Sequence, residues 1–363
     1  MRSDIHPLER TDRFCKDNNL RVPILLSPMA GACPPALSIA VSRAGGMGAC
    51  GVLLMQPESI EQWMQEFRSS SSGPLMLNNW IPDPIPTLDL SRETAVRKFL
   101  EHLGPEIPKG IEKKQPLDFE SQCEAMLKSN PDVISSIMGL FEAGFIKRMK
   151  DAGIKWYATV TTVREAIQAE NAGADVLVAQ GMEAGGHRGT FDAASAAERM
   201  IGLTSLIPGV VDAVNIPVVA TGGIADGRGL AASLALGASA VQIGTGFLRC
   251  PEAGIPAVWA DAIGLAQPED TIGTRAFSGR YGRSLRTFYT ELANQPDSPE
   301  PSPYPIQRAL TQPMRDQANR TGDIDRMQAW AGQSSGLAKT KSPIELIPEI
   351  WSVAQQILGQ YRS

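Results

Sequence analysis

The chain is short of the residues that most often carry chemistry. Its 363 residues include three histidines, and aromatic side chains make up 6%. The five cysteines, at 15, 33, 50, 123 and 250, are odd in number and scattered, with no C-x-x-C pair. That excludes a disulfide framework and reads as reduced thiols in a cytoplasmic protein. There is no excess of positive charge either. A formal net charge of −5 argues against a nucleic-acid or anionic-membrane partner. The uncharged run Val22–Ser42 is of spanning length but is punctuated by Pro23, Pro28, Pro34 and Pro35, so it reads as two short elements joined by a loop. The opening MRSDIHPLERTDR is too charged for a secretory leader. A Walker lysine motif, a G-x-G-x-x-G after the first strand and a metal-ligand cluster are all missing, and no metal is expected.

What the chain does have is a rhythm. Short apolar runs rich in β-formers alternate with helical patterns over the first 250 residues. Strands are expected over 22–29, 47–53, 74–80, 132–139, 155–160, 174–181, 216–223 and 239–247. Helices fall between them, for example 34–46, opened by proline and closed by glycine, and 162–172, with Thr162 and Glu165 at capping-box spacing. Nearly continuous apolar strands separated by helices imply a parallel sheet buried on both faces. Eight of them point to an α/β fold of the (β/α)8 barrel type rather than a doubly wound open sheet. Residues 1–251 form the expected barrel. Residues 81–130, beginning IPDPIPT, are too long for an ordinary connection and read as an inserted lid. Residues 252–363 read as a smaller C-terminal substrate or cap region.

The unusual residues recur just past strand ends. ATGGIADGRG (220–229) puts Gly222 and Gly223 between a strand and a helix, where backbone N–H groups can approach an anion. QIGTGF (242–247) adds Gly244 and Thr245 after the last strand, and adjacent loops of this kind are the usual phosphate site of such barrels. Met29, Asn78, Gln180 and Gln242 also fall near strand C-termini, and an amide offers both donor and acceptor to the edge of a flavin ring. AQGMEAGGHRGT (179–190) carries His187 on a glycine-rich loop that starts where the sixth strand ends, on the catalytic face.

SPMAGACPPALSIAVSRAGGMG, AQGMEAGGHRG, ATGGIADGRGLAASLALGASAVQIGTGFL and PYPIQRALTQPMR…AWAGQSSGLA together resemble the class I nitronate monooxygenases, formerly called 2-nitropropane dioxygenases. The resemblance runs from about residue 22 to 340. It implies a TIM-barrel flavoprotein with non-covalent FMN, which oxidises alkyl nitronates with O2 to a carbonyl compound and nitrite. It implies that Gly222, Gly223, Gly244 and Thr245, with Ile243 beside them, hold the phosphate. Met29 through its backbone, Asn78, Gln180, Gly185 and Gln242 would surround the ring. His187 takes the place of the family's active-site histidine, and Tyr304 is a pocket candidate. The strand DVISSIMG and the stretch AVRKFLEHLG depart from the family pattern, and both bear on the substrate pocket.

A nitronate is already an anion, so His187 need only hold the nitro oxygens, whereas a neutral nitroalkane would need it as general base. Glu183 and Arg188 read as holding the loop, and Arg275, Arg280, Arg283 and Arg286 as a solvated face or internal clasp. The rival readings are an NAD(P)H-dependent flavin reductase acting on quinones or enoyl thioesters, a cysteine-dependent dehydrogenase without flavin, and a non-catalytic flavin-binding barrel. A monomer or homodimer fits all of them.

Overall fold

Strands that are apolar on both faces must be covered on both, and a closed parallel barrel ringed by helices does this without leaving an edge. The computed structural model describes residues 5–113 and 116–359. The first four residues of the charged N-terminal stretch, residues 114 and 115 of the expected insert, and residues 360–363 lie outside that description.

The strands are β1 (Ile24–Leu26), β2 (Gly48–Gly51), β3 (Leu75–Trp80), β4 (Val133–Ile137), β5 (Lys155–Val160), β6 (Val176–Gln180), β7 (Gly186–His187), β8 (Val218–Thr221), β9 (Ala240–Ile243), β10 (Thr271–Thr274) and β11 (Gly282–Leu285). Eight of them pair in parallel in the order β1-β9-β8-β6-β5-β4-β3-β2. A parallel bridge between Leu25 and Met47 joins the two ends, with Leu26 N donating to Met47 O at 2.9 Å. The fold is therefore the expected (β/α)8 barrel. β7, β11 and β10 form a separate antiparallel sheet above its mouth.

Two strand expectations are corrected. The run 22–29 contributes three ladder residues, because Pro23 and Pro28 lack an N–H and close the strand at both ends. The last strand stops at Ile243 rather than 247. Gly244 turns the backbone to φ −107°, ψ −86°, and Thr245–Phe247 form a short 3-10 turn. The Thr162–Glu165 capping box is half formed. Thr162 Oγ1 accepts from Glu165 N at 3.1 Å, but the Glu165 carboxylate turns to Thr161 N at 2.6 Å and Phe191 N at 2.9 Å. A helix start thereby also anchors the loop that follows β6.

Within 81–130, helix Leu90–Leu100 buries Val96 and Leu100 against Phe277, Tyr289, Leu310 and Met314 from the C-terminal part of the chain. Helix Phe119–Lys128 packs instead on helix Pro57–Ser70 and on β3. The final helix, Pro343–Gly359, returns to the barrel. It lies on helices Gly227–Ala235 and Pro35–Arg43, and Leu346, Ile347 and Ile350 join the core of Ile24–Leu26 and Val241.

Ile347 is fully buried in that core. Ile347→Ala is expected to destabilise the protein by about 2–5 kcal/mol, since the lost methyl and ethyl groups leave a cavity between rigid elements. Urea unfolding measures it. A change below about 0.5 kcal/mol, the range of ordinary surface substitutions, would show that the helix end is only loosely attached.

Candidate active site

The loop after β6 would be free if its glycines alone decided its behaviour. It is held from below and from above. Gln180, the last residue of β6, accepts from Gly189 N at 2.8 Å through Oε1 and donates from Nε2 to His187 O at 3.0 Å. The buried Arg188 guanidinium donates to Gln180 O, to Arg199 O at 3.1 Å and to Thr161 O at 3.3 Å. Glu183 accepts from Leu203 N at 2.9 Å. From above, Gly186 and His187 pair with Arg283 and Gly282 of β11, and Arg188 N donates to Tyr281 O at 2.9 Å.

The His187 ring is fixed as well. Nε2 lies 2.7 Å from Ser278 Oγ. Trp80, at the end of β3, and Trp330 meet the imidazole edge-on at 4.7 and 4.8 Å between ring centres. Trp330 is itself bridged to Ser284 of β11. Burial, followed by the positive charges of Arg280, Arg308 and Arg315, pushes the His187 pKa down to about 3. The imidazole is neutral at physiological pH.

Below it lies a cavity of about 400 Å³. One wall is a cradle of backbone. Gly222 and Gly223 adopt φ of +116° and +65°, a region that side chains avoid, and a Cβ on Gly222 would lie 3.1 Å from Ala184 N. Segment 332–334 ties the two cradle loops together. Gly332 N donates to Thr245 Oγ1 at 3.0 Å, and Ser334 Oγ donates to Gly223 O at 2.6 Å. Gly185 passes so close that a Cβ there would meet Gly332 N at 2.5 Å. At the end of β9, Gln242 Oε1 is buried without a hydrogen-bond donor. Asn78 Nδ2 is engaged by Ser135, at 2.8 Å to Oγ and 3.2 Å to O.

The structure thus brings Met29, Asn78, Gln180, Gly185 and His187 to one cavity with Gly222, Gly223, Gln242, Gly244 and Thr245. Ile243 is not part of its wall, because its side chain points into the barrel core. Tyr304 also stands behind the lining, its ring 5.5 Å from that of Trp80. Sequence reasoning missed Trp80, Ser278, Trp330, Arg308 and Arg315. Both arginines line the cavity; Arg315 donates to Thr311 Oγ1 at 3.1 Å, Gln328 Oε1 at 3.0 Å and the Arg308 carbonyl at 2.8 Å, and Asp316 acts on both from farther off. The arginine-dotted stretch is an internal clasp in its middle. Arg280 forms a two-pronged ion pair with Asp83, 2.6 Å from Nε to Oδ2, and Arg283 donates to Met182 O at 3.0 Å. Arg286, by contrast, is exposed.

A barrel with adjacent anion cradles and a neutral imidazole at the C-terminal strand ends has the architecture of an enzyme acting on a small molecule. Comparison with known proteins narrows the class. The family model for nitronate monooxygenase matches residues 13–352, and the chain belongs to that family. A probable nitronate monooxygenase of Staphylococcus aureus is 35% identical over 357 residues, covering 97% of this chain and 99% of its own. The nitroalkane oxidase of Streptomyces ansochromogenes superposes with a TM-score of 0.85 at 33% identity, over 94% of this chain and 99% of that one. FabK from Thermotoga maritima superposes at 0.75 with 28% identity, over 96% and 98%. The protein is accordingly an oxidoreductase, and its family implies a flavin cofactor. No helix among the described residues is long and apolar enough to cross a membrane.

With a pKa near 3, His187 takes up no proton between pH 8 and 5, whereas an imidazole of ordinary pKa 6.5 would change charge across that window. NMR of histidine-labelled protein, with His187 identified by its absence from His187→Asn, is expected to show constant His187 nitrogen shifts from pH 8 to 5. A midpoint near 6.5 would mean that neither burial nor the three arginines hold the ring neutral.

Proposed function

We propose that the protein is an FMN-dependent nitronate monooxygenase, oxidising alkyl nitronates with O2 to a carbonyl compound and nitrite. The observation that carries this is the neutral imidazole of His187 facing the same cavity as the two glycine cradles, with Arg308 and Arg315 on its wall.

The residues present fit the cofactor. Gly222, Gly223, Gly244 and Thr245 would hold its phosphate, with the Ile243 backbone beside them. Met29, Asn78, Gln180, Gly185 and Gln242 would line its ring, and the orphaned Gln242 Oε1 needs a donor of the kind a flavin ring edge provides. When bound, FMN supplies the two-electron oxidation and the reaction with oxygen. The chain's own residues choose and hold the substrate. Arg308 and Arg315 favour an anion in the cavity, so a nitronate enters already matched to the field. A neutral nitroalkane would have to give its C–H proton to His187. The arginines would stabilise the resulting nitronate but oppose the imidazolium, so nitronates are the preferred substrates. Trp80 and Trp330 fix the imidazole's orientation, and helix Leu90–Leu100 with the C-terminal residues it packs on would form the cap.

FabK's similar barrel supports a second reading, an NAD(P)H-dependent reductase. Oxygen uptake matched by nitrite release from a nitronate panel separates the two. Rapid NADH or NADPH oxidation with no nitrite from any nitronate would reject the monooxygenase.

Gly222→Val should yield flavin-free protein, because the new side chain occupies the cradle beside Ala184. Full, tight FMN occupancy in that variant would remove the phosphate assignment. His187→Asn replaces the base with an amide that cannot take up the proton. It should abolish activity on neutral nitroalkanes, the loss of a general base typically costing about 10²–10⁴-fold, while nitronate oxidation falls roughly tenfold. Undiminished kcat/KM on both substrates would make His187 a loop residue only.

A further inference from the structure

We infer that Ser278 is a positioning residue that selects the tautomer of His187, keeping the proton on Nε2 and leaving the Nδ1 lone pair for the substrate. The inference rests on the reading of His187 as the active-site imidazole.

A neutral imidazole carries one proton, and the partner of one nitrogen decides what the other can do. Among the described residues Nε2 has one hydrogen-bond partner, Ser278 Oγ at 2.7 Å, and Nδ1 has none. Ser278 also has one proton to give, and two acceptors compete for it. One is His187 Nε2. The other is the carbonyl of Arg280, 3.3 Å away, in a residue only 4% exposed. That contact is long, but no other protein donor reaches the Arg280 carbonyl among the described residues. A hydroxyl turned to His187 would therefore leave a buried carbonyl without a donor, at a cost of about 1–3 kcal/mol. A hydroxyl turned to Arg280 leaves none, since His187 then donates from Nε2 to Ser278 Oγ. The chain of donors runs from His187 to Ser278 to the Arg280 carbonyl and ends there.

The geometry that fixes this order is stiff. Ser278 is fully buried. Two residues on, the Arg280 side chain is locked to Asp83, and four residues on, Gly282 pairs with the His187 backbone. One short segment therefore holds the histidine by its ring and by its main chain. The two tryptophan rings pack against the imidazole at 4.7 and 4.8 Å between centres. His187 thus presents a proton acceptor to the cavity.

The test is nitrogen NMR of the purified, FMN-loaded protein labelled in histidine, with His187 assigned from its absence in His187→Asn. The expected wild-type signature is one protonated nitrogen, Nε2, and one unprotonated, Nδ1. Ser278→Ala removes the acceptor and should populate the Nδ1–H tautomer. It should also lower kcat/KM for a neutral nitroalkane relative to its pre-formed nitronate by on the order of tenfold. Ser278→Thr keeps the hydroxyl and should restore both. A proton on Nδ1 in the wild type overturns the inference, and this reading stands even if Ser278→Ala does not fold. An unchanged tautomer in folded Ser278→Ala overturns it equally. If the tautomer shifts as expected but no nitronate yields nitrite, the proposed activity fails while the role of Ser278 holds.

Discussion

The pairing of Gly186–His187 with Gly282–Arg283 is the joint on which the site depends. A glycine-rich loop at a barrel mouth has too much backbone freedom to aim a side chain. Here the loop becomes the edge of a small antiparallel sheet whose other strands come from nearly a hundred residues later. The ladder sets where His187 sits, and the same segment supplies Ser278 to its ring and Arg280 to its field. Trp330 is attached to β11 as well, and the segment after it ties the two glycine cradles together. Barrel, cradle and histidine are thus built to one another through β11.

The charge distribution explains what such a site can take. Buried arginines usually answer to carboxylates, as Arg280 does to Asp83. Arg308 and Arg315 form no such close pair among the described residues, though Asp316 acts on both from farther off, and both line the cavity. Burial and the arginines' charge together keep the imidazole neutral. An arrangement that repels a proton from its own base and attracts an anion is suited to a substrate that arrives deprotonated.

The barrel was legible because its signal is periodic. Apolar runs such as ADVLVAQ and IPVVATGG recur at regular spacing, and their strand ends carry the glycines and amides that line the cavity. Strand limits were less so, because Pro23, Pro28 and Gly244 shorten ladders whose hydrophobicity continues. Ser278 was not legible, since it acts on a residue 91 positions away and sits in an arginine-dotted stretch. Arg308 and Arg315 were not legible either, since only the folded chain brings PYPIQRALTQPMR to the barrel mouth. Ile243 sits between lining residues, and the alternation of a strand turns its side chain into the core, which leaves only its backbone toward the cradle.

The central claim is that this cavity oxidises an anionic nitronate rather than accepting electrons from a pyridine nucleotide. Anaerobic mixing tests it most directly, because it removes oxygen and watches the visible flavin band alone. The account predicts rapid bleaching of the FMN-loaded protein by a pre-formed alkyl nitronate and none on the same timescale by NADH or NADPH. Rapid bleaching by a pyridine nucleotide, with the nitronate inert, would contradict it.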